Sequence, residues 1–565
     1  MNGSNRIYHP LLTIGLVITC SIVINVSCRP SHRPPRLVLL LVLDGFRADY
    51  FDRFLDIMEP GGLRTLYEEG TVFTNAEVDY FFTATGPGHA SVATGCYPSR
   101  TGIVSNYWWD KELGEVIGCV QDGETGLLGA GDREVKGASP KYLRGPHLSE
   151  IFKTAFGDDA KVFSVSAKDR SAVLLGGGKP DGVFWFSDEL GIFTTSTWYT
   201  QKLPEWVERF NQEENLSRFE GGQWNLLLPA KGWAKCRDDE YEFETNHNSM
   251  GIVFPHPLGE ISEESPSEFY NTLANTPLID EYTCEFAMRL VEEEGLGLDE
   301  VCDLLCVSFT GPDRIGENYG PFSLEMGDAI WRIDRVVSRM LEFLSGKLDL
   351  ENECLIVLTS DHGMAPIPEF SRESGERAGR IIVRLTGESG NLQTIAAIVD
   401  GTMDSAFGQA DWVLSDVIPF VYLNEDAAEI LHTELESVVE KARSVLLDRD
   451  GIRSMIRARE IETGSYPDKD LLVALGKLYF PERCGELILN PEPYFVYASA
   501  KNALVGGTNH GSMYDYDARI PLVFYGWRMG SSMRGETVHQ VDILPSLVEL
   551  LEIETEEAFD GKPLF

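Results

Sequence analysis

Four short apolar runs recur along the chain, each closed by a charged or polar cluster: residues 36–43 before Asp44, 161–167 before Lys168, 304–309 before Asp313, and 354–359 before Asp361. Runs of this length without polar alternation predict strands buried on both faces. Between the third and fourth, Ile330, Ile333, Val337, Met340, Leu341 and Leu344 fall at helical spacing, with Arg332, Asp334, Arg335 and Arg339 between them. That pattern predicts an amphipathic crossover helix over 329–344. Strands alternating with helices predict an α/β fold around a mostly parallel sheet, in which ligands gather at the carboxyl ends of the strands. The charged clusters fall at those ends. Two segments stand apart from the pattern, 199–276, rich in Trp, Asn, Glu and Pro, and 368–500, with helical and strand-like stretches of its own. Both read as insertions capping the sheet, and neither shows an internal repeat.

The N-terminus has its own pattern. Arg6 precedes an apolar run at 11–26, LLTIGLVITCSIVINV, followed by Ser27-Cys28 and the polar RPSHRPPR. Residues 1–30 therefore read as a signal peptide or a membrane anchor ahead of a catalytic domain over 31–565. Cys28 is also placed for lipid modification, although Asn25 stands where such a signal usually has an aliphatic residue. Each alternative makes the protein exported: periplasmic, secreted, or anchored facing outward. Export permits disulfides, but the ten cysteines include no C-x-x-C pair, and Cys302 and Cys306 lie in an apolar run as core thiols.

A chain of 565 residues with 43% hydrophobic residues buries a large core. Lys and Arg total 48 against 89 Asp and Glu, a formal charge of -41, which argues against nucleic acid as a partner. An anionic substrate would need a local cationic pocket. The candidate chemistry sits at the strand ends. Asp361 and His362, in TSDHGM, pair a hard oxygen with an imidazole, a combination suited to zinc. Asp44 in LVLDGFRADY, Asp313 in DRIGE and His510 in TNHGSMYDYDARIPLVFYG, just before a strand-like stretch at 520–525, extend the set to what two adjacent divalent ions require.

These blocks, with TATGPGHASVATG, GIVSNYWWD, SAKDR and the closing VDILPSLVELL and DGKPL, resemble the alkaline phosphatase superfamily. The resemblance is greatest to its phosphate-irrepressible, threonine-nucleophile alkaline phosphatases, with nucleotide pyrophosphatase/phosphodiesterases nearer than sulfatases. It covers essentially everything after the leader and implies a three-layer sandwich with inserted cap segments. It also settles a choice between two nucleophiles. Sulfatases read C-x-P-S-R-x-x-x-x-T-G, with Thr-Gly at positions nine and ten after the modified Cys. From Cys96 those positions hold Ser105 and Asn106; from Thr85 they hold Thr94 and Gly95, and Pro87 also matches. Thr85 occupies the nucleophile position.

The resemblance implies two divalent ions and hydrolysis through a phosphothreonine. Asp44, Asp361 and His362 would hold one zinc, which also coordinates the Thr85 oxygen; Asp313, Glu317 and His510 would hold the second. Relatives usually read D-x-x-G-H, so Glu317 replaces an imidazole, which weakens Lewis acidity and makes manganese or magnesium the alternative at that site. Asn106, Lys168 and Arg170 resemble the donors to the phosphoryl oxygens, and the Lys-x-Arg pair belongs to the monoesterase branch. The expected substrates are small phosphate monoesters. A phosphodiesterase using the same metals, and a non-catalytic binding protein on a degenerate scaffold, are the alternatives. His89, beside the nucleophile, reads as structural, and Gly176–Gly178 as a turn without P-loop spacing.

Overall fold

All four apolar runs are strands. Numbered along the chain, the central sheet contains β1 (Leu37–Leu43), β2 (Thr71–Glu77), β3 (Val162–Ser166), β4 (Gly182–Ser187), β5 (Ile192–Thr194), β6 (Asp303–Phe309), β7 (Cys354–Thr359), β8 (Arg519–Ile520), β9 (Leu522–Gly526) and β10 (Ser532–His539). Their order is β8-β2-β9-β7-β1-β6-β3-β4-β5, with β10 paired to β2. The computed structural model describes residues 33–131, 133–383, 394–498 and 506–565, with positions 1 and 3. The apolar run at 11–26 lies outside the described residues. Among those described, no helix is long and apolar enough to cross a membrane.

Strands β7, β1, β6, β3 and β4 run parallel to their neighbours, whereas β9 and the edge strand β5 are antiparallel. The strand expected over 520–525 is two strands. Pro521, which has no N–H to give a ladder, separates β8 from β9. Burial explains the unbroken apolar runs: Leu37, Leu39, Leu41 and Leu43 enter one core layer, and Val38, Leu40 and Val42 the other. Helices cover both faces, giving an α/β/α sandwich. Four helices matter to the site: α1 (Thr85–Thr94), α2 (Asp169–Gly176), α3 (Gly311–Tyr319) and α4 (Leu324–Ser345).

Helix α4 is the expected crossover helix, but it starts five residues before position 329, where the Ser323 hydroxyl accepts the Met326 N–H at 2.9 Å. Its polar stripe is also less solvated than amphipathicity predicts, because residues 224–228 lie over Asp328 and Arg332 and residues 59–64 over Asp334. Asp328 and Asp334 are buried, as is Arg332. Asp328 accepts from Trp224 Nε1 at 2.7 Å, from the Leu227 and Leu228 N–H groups at 2.6 and 2.8 Å, and from Arg332 Nε at 2.7 Å.

Residues 199–276 add no strand to the central sheet; they form helices Glu205–Glu213 and Pro266–Ala274 and a short antiparallel pair. Residues 413–491 hold a separate four-stranded antiparallel sheet, ordered Val413–Ser415, Phe420–Leu423, Leu487–Pro491, Ile452–Arg457. The eight cysteines among the described residues are free thiols, with Cys302 and Cys306 in the core.

Replacing Asp328 with alanine strips the buried Arg332 of one of its two carboxylate partners, Glu281 remaining, and leaves the Trp224 indole N–H and two backbone N–H groups without an acceptor, so about 3–5 kcal/mol of stability should be lost. Thermal unfolding of Asp328→Ala beside an exposed control substitution measures it.

Candidate active site

Parallel register brings the strand ends together. Val42 lies opposite both Thr359 and Ser308, and Ser308 opposite Ser166. Asp44, Asp313, Asp361 with His362, and Lys168 with Arg170 therefore leave the same edge of four adjacent strands. Two glycines permit the close approach: a Cβ on Gly45, whose φ is +71°, would lie 2.7 Å from Asp313 Cα, and one on Gly88 would lie 2.6 Å from Asp361 Cβ.

The side chains form two buried groups capable of holding a metal, Asp44–Asp361–His362 and Asp313–His362–His510, within each of which the ligand atoms lie inside 4.8 Å of one another. The sequence reading assigns two sets with no shared member. The structure brings Asp44, Asp313, Asp361, His362 and His510 together, yet His362 belongs to both tight groups. Glu317 stands at the rim: its Oε1 is 3.8 Å from His510 Nε2, and its side chain is 42% exposed. Both imidazoles are oriented through Nδ1, His362 donating to Gly363 O at 2.8 Å and His510 to Thr83 O at 2.8 Å, so each presents Nε2 inward. The rings stack with centroids 3.6 Å apart.

The strongest sign of a missing partner is a set of orphaned atoms. Asp44 Oδ1, Thr85 Oγ1, Asp313 Oδ1 and His362 Nε2 are buried without a hydrogen-bond partner among the described residues, and Asp361 Oδ2 has only His89 Nδ1 at 3.1 Å, a nitrogen that also faces Thr85 O. Native interiors rarely leave such groups unpaired. Carboxylate oxygens plus imidazole nitrogens suit zinc or a harder divalent ion, and the donor set fits. One internal cation partly offsets the charge: Lys168 Nζ lies 2.7 Å from Asp44 Oδ2 and 2.5 Å from Asp313 Oδ2.

Electrostatics reflect the crowding. Burial and the nearby Asp361 charge push Asp44 up to about 6, against the pull of Lys168. Burial opposes ionisation of Asp313 and Asp361 too, but Lys168, His510 and His362 around the first, and His362 and His89 around the second, hold both below the usual carboxylate range. Desolvation on its inner side and the Asp313 charge push Glu317 upward, while its outer side stays open to solvent. Burial and neighbouring His362 push His510 down to about 3.

Thr85 opens α1, whose residues are all buried. Gly86 N donates to Asn106 Oδ1 at 2.7 Å, which leaves the Asn106 amide nitrogen as a free donor. His89 Nδ1 donates to Thr85 O at 2.9 Å, and Nε2 lies 2.8 Å from Ser308 Oγ, which ties the nucleophile's helix to β6. Cys96 follows the opposite end of α1, roughly 15 Å along the axis from Thr85. Its thiol is buried and pushed up to about 11 by that burial. The Arg170 guanidinium, at the start of α2, has no hydrogen-bond acceptor among the described residues, and its Nε is buried.

Four positioning residues lie outside the set expected from sequence. Asp280, buried and pushed up to about 7 by that burial, accepts from Thr310 N at 2.9 Å and Gly311 N at 3.1 Å, fixing the turn into α3 that carries Asp313. Gln540 Nε2 donates to the Ser360 and Asp361 carbonyls at 3.0 and 3.1 Å. Asp517 accepts from Ser512 N and Oγ at 2.9 and 2.6 Å, while its carbonyl accepts from Gly363 N, joining the His510 loop to the His362 loop. Arg483 donates to Gly102 O and packs over the Trp108 ring at 4.7 Å, pinning the segment that carries Asn106.

The family model described as type I phosphodiesterase / nucleotide pyrophosphatase matches residues 38–513. The chain is 29% identical over 532 residues to alkaline phosphatase PafA of Elizabethkingia meningoseptica, covering 94% of each chain. It is 30% identical over 557 residues to a protein named calcium-transporting ATPase from Myroides odoratus, covering 98% of each. The crystal structure of wild-type PafA superposes with a TM-score of 0.84 at 28% identity, covering 94% of this chain and 98% of that one.

Asp280→Ala removes the acceptor of two buried N–H groups, so a stability loss of about 2 kcal/mol is expected from their desolvation. Because the turn it releases carries Asp313, metal affinity should fall with it, whereas Asp280→Asn should recover part of both. Thermal unfolding and equilibrium dialysis against zinc test the pair.

Proposed function

Because the chain belongs to the type I phosphodiesterase / nucleotide pyrophosphatase family of the alkaline phosphatase superfamily, we propose that it is a metal-dependent phosphatase that hydrolyses phosphate monoesters through covalent phosphorylation of Thr85. The observation that carries this reading is the orphaned Thr85 hydroxyl at the head of a helix whose His89 reaches Asp361 Oδ2 at 3.1 Å, together with the unpaired carboxylate and imidazole atoms and the unpartnered Arg170 guanidinium. Asp44, Asp361 and His362 would hold one divalent ion, and Asp313, His510 and Glu317 the other. Bound there, such ions supply Lewis acidity and neutralise negative charge on the reacting group. The carboxylate of Glu317, in place of an imidazole, supports a harder ion in the second position.

The chain's own residues account for attack and recognition. Thr85 Oγ1 forms a bond to phosphorus as the ester P–O bond breaks and the alcohol leaves; water then attacks phosphorus, releases inorganic phosphate and restores the hydroxyl. Asn106 holds its amide oxygen on Gly86 N and so offers Nδ2 to a phosphoryl oxygen. Arg170 offers a planar fork, and Lys168 a buried ammonium already engaged with Asp44 and Asp313. A monoester dianion has more charge on its nonbridging oxygens than a diester, and this cationic pair favours it. The name of the PafA relative supports the same substrate class. The apolar run at 11–26 supports delivery across a membrane.

The family's name keeps a phosphodiesterase as the second reading. An aryl phosphate and its methyl diester separate the two. Lys168→Ala and Arg170→Ala should each lower kcat/KM for the monoester by about a hundredfold or more while leaving the diester far less affected. Equal losses on both esters would assign the site to diesters.

A further inference from the structure

A cavity of about 260 Å³ opens beside Lys168 and Arg170, walled by the end of β4, the turn into α3 and the stretch around Lys136. Besides Lys168, three cations face it without tight partners. Arg170 has no acceptor among the described residues. Arg314, one residue after Asp313, has only Asp188 at 3.9 Å, beyond hydrogen-bond distance. Lys136 is exposed and forms no ion pair among the described residues. Against these four cations the cavity has three carboxylates, two of which already accept hydrogen bonds. Asp169 Oδ1 accepts the Arg170 backbone N–H at 2.7 Å, Asp188 Oδ2 accepts Asn271 Nδ2 at 3.2 Å, and Glu189 is exposed. The local balance is thus cationic in a chain whose net charge is -41. A donor fork left unpaired over a cavity is an anion site in search of an anion.

We propose that this cavity is a second anion subsite, and that the preferred substrates are phosphate monoesters whose alcohol carries a further anionic group, a carboxylate or a second phosphate, met by Arg314 with Lys136. The proposal rests on the phosphomonoesterase reading of the same site. Arg170 and Lys168 take the transferred phosphoryl group; Arg314 is the specificity-determining residue for what leaves. A leaving group bearing an ammonium would instead meet like charge.

The test compares propyl phosphate with three esters of similar length, ending in a carboxylate, a second phosphate or a trimethylammonium. The two anionic esters should exceed propyl phosphate in kcat/KM by about tenfold or more, mainly through lower KM, and the cationic ester should fall below it. Arg314→Met should bring the anionic-to-neutral ratio near one and Arg314→Lys should restore part of it; Lys136→Ala should lower the ratio without requiring any change beside Asp313. Calorimetry with the matching phosphonates, which are not turned over, gives the same ratio from Kd. Binding preference without turnover would keep the subsite and defeat the phosphatase reading. Equal affinities for neutral and anionic compounds, preference for the cation, or a ratio that survives Arg314→Met would overturn the subsite.

Discussion

Three carboxylates, Asp44, Asp313 and Asp361, leave adjacent strands into one buried corner, and like charges so placed repel unless cations stand between them. Much of the local architecture follows from meeting that constraint. Lys168 supplies one internal cation and touches two of the three. The two imidazoles point Nε2 inward because backbone carbonyls hold their other nitrogen. What these groups leave unsatisfied is a set of lone pairs, and divalent ions are the partners that fit them. The stiffness of the parallel strands and the helices seated on them keeps this costly arrangement from relaxing apart.

Much of this was legible in the sequence because Asp44, Asp313, Asp361 and His362 come just after strands. An apolar run closed by Asp44 or by Asp361-His362 records both the strand and its chemistry, and neighbouring strands place them together without further information. Position in a local pattern could not reveal Asp280, Gln540 or Arg483, which act across long stretches of chain through backbone contacts, whereas Asp517 lies inside the block that carries His510 and reaches the His362 loop only through its carbonyl. Helix α4 was readable in type but not in environment: Arg332 looks like a solvent-facing charge until Asp328 and Asn225 engage it. The strand expected over 520–525 was cut by Pro521, a local signal that its apolar neighbours masked. Glu317 was visible as a departure, while its place at the rim depended on side-chain geometry.

The cationic cavity beside Arg170 gives a physical meaning to the overall acidity. A strongly negative surface disfavours anions everywhere except where positive charge is concentrated, so recognition is confined to one place. The segment around 483 contributes to the same end from outside the sheet, holding the loop that carries Asn106 through Gly102 and Trp108.

Anomalous diffraction from crystals grown with zinc or manganese reads the central claim directly. Two ions are expected at the sheet edge, one against Asp44, Asp361, His362 and Thr85 Oγ1, the other against Asp313 and His510. A single ion, none, or ions bound away from Thr85 would contradict the account.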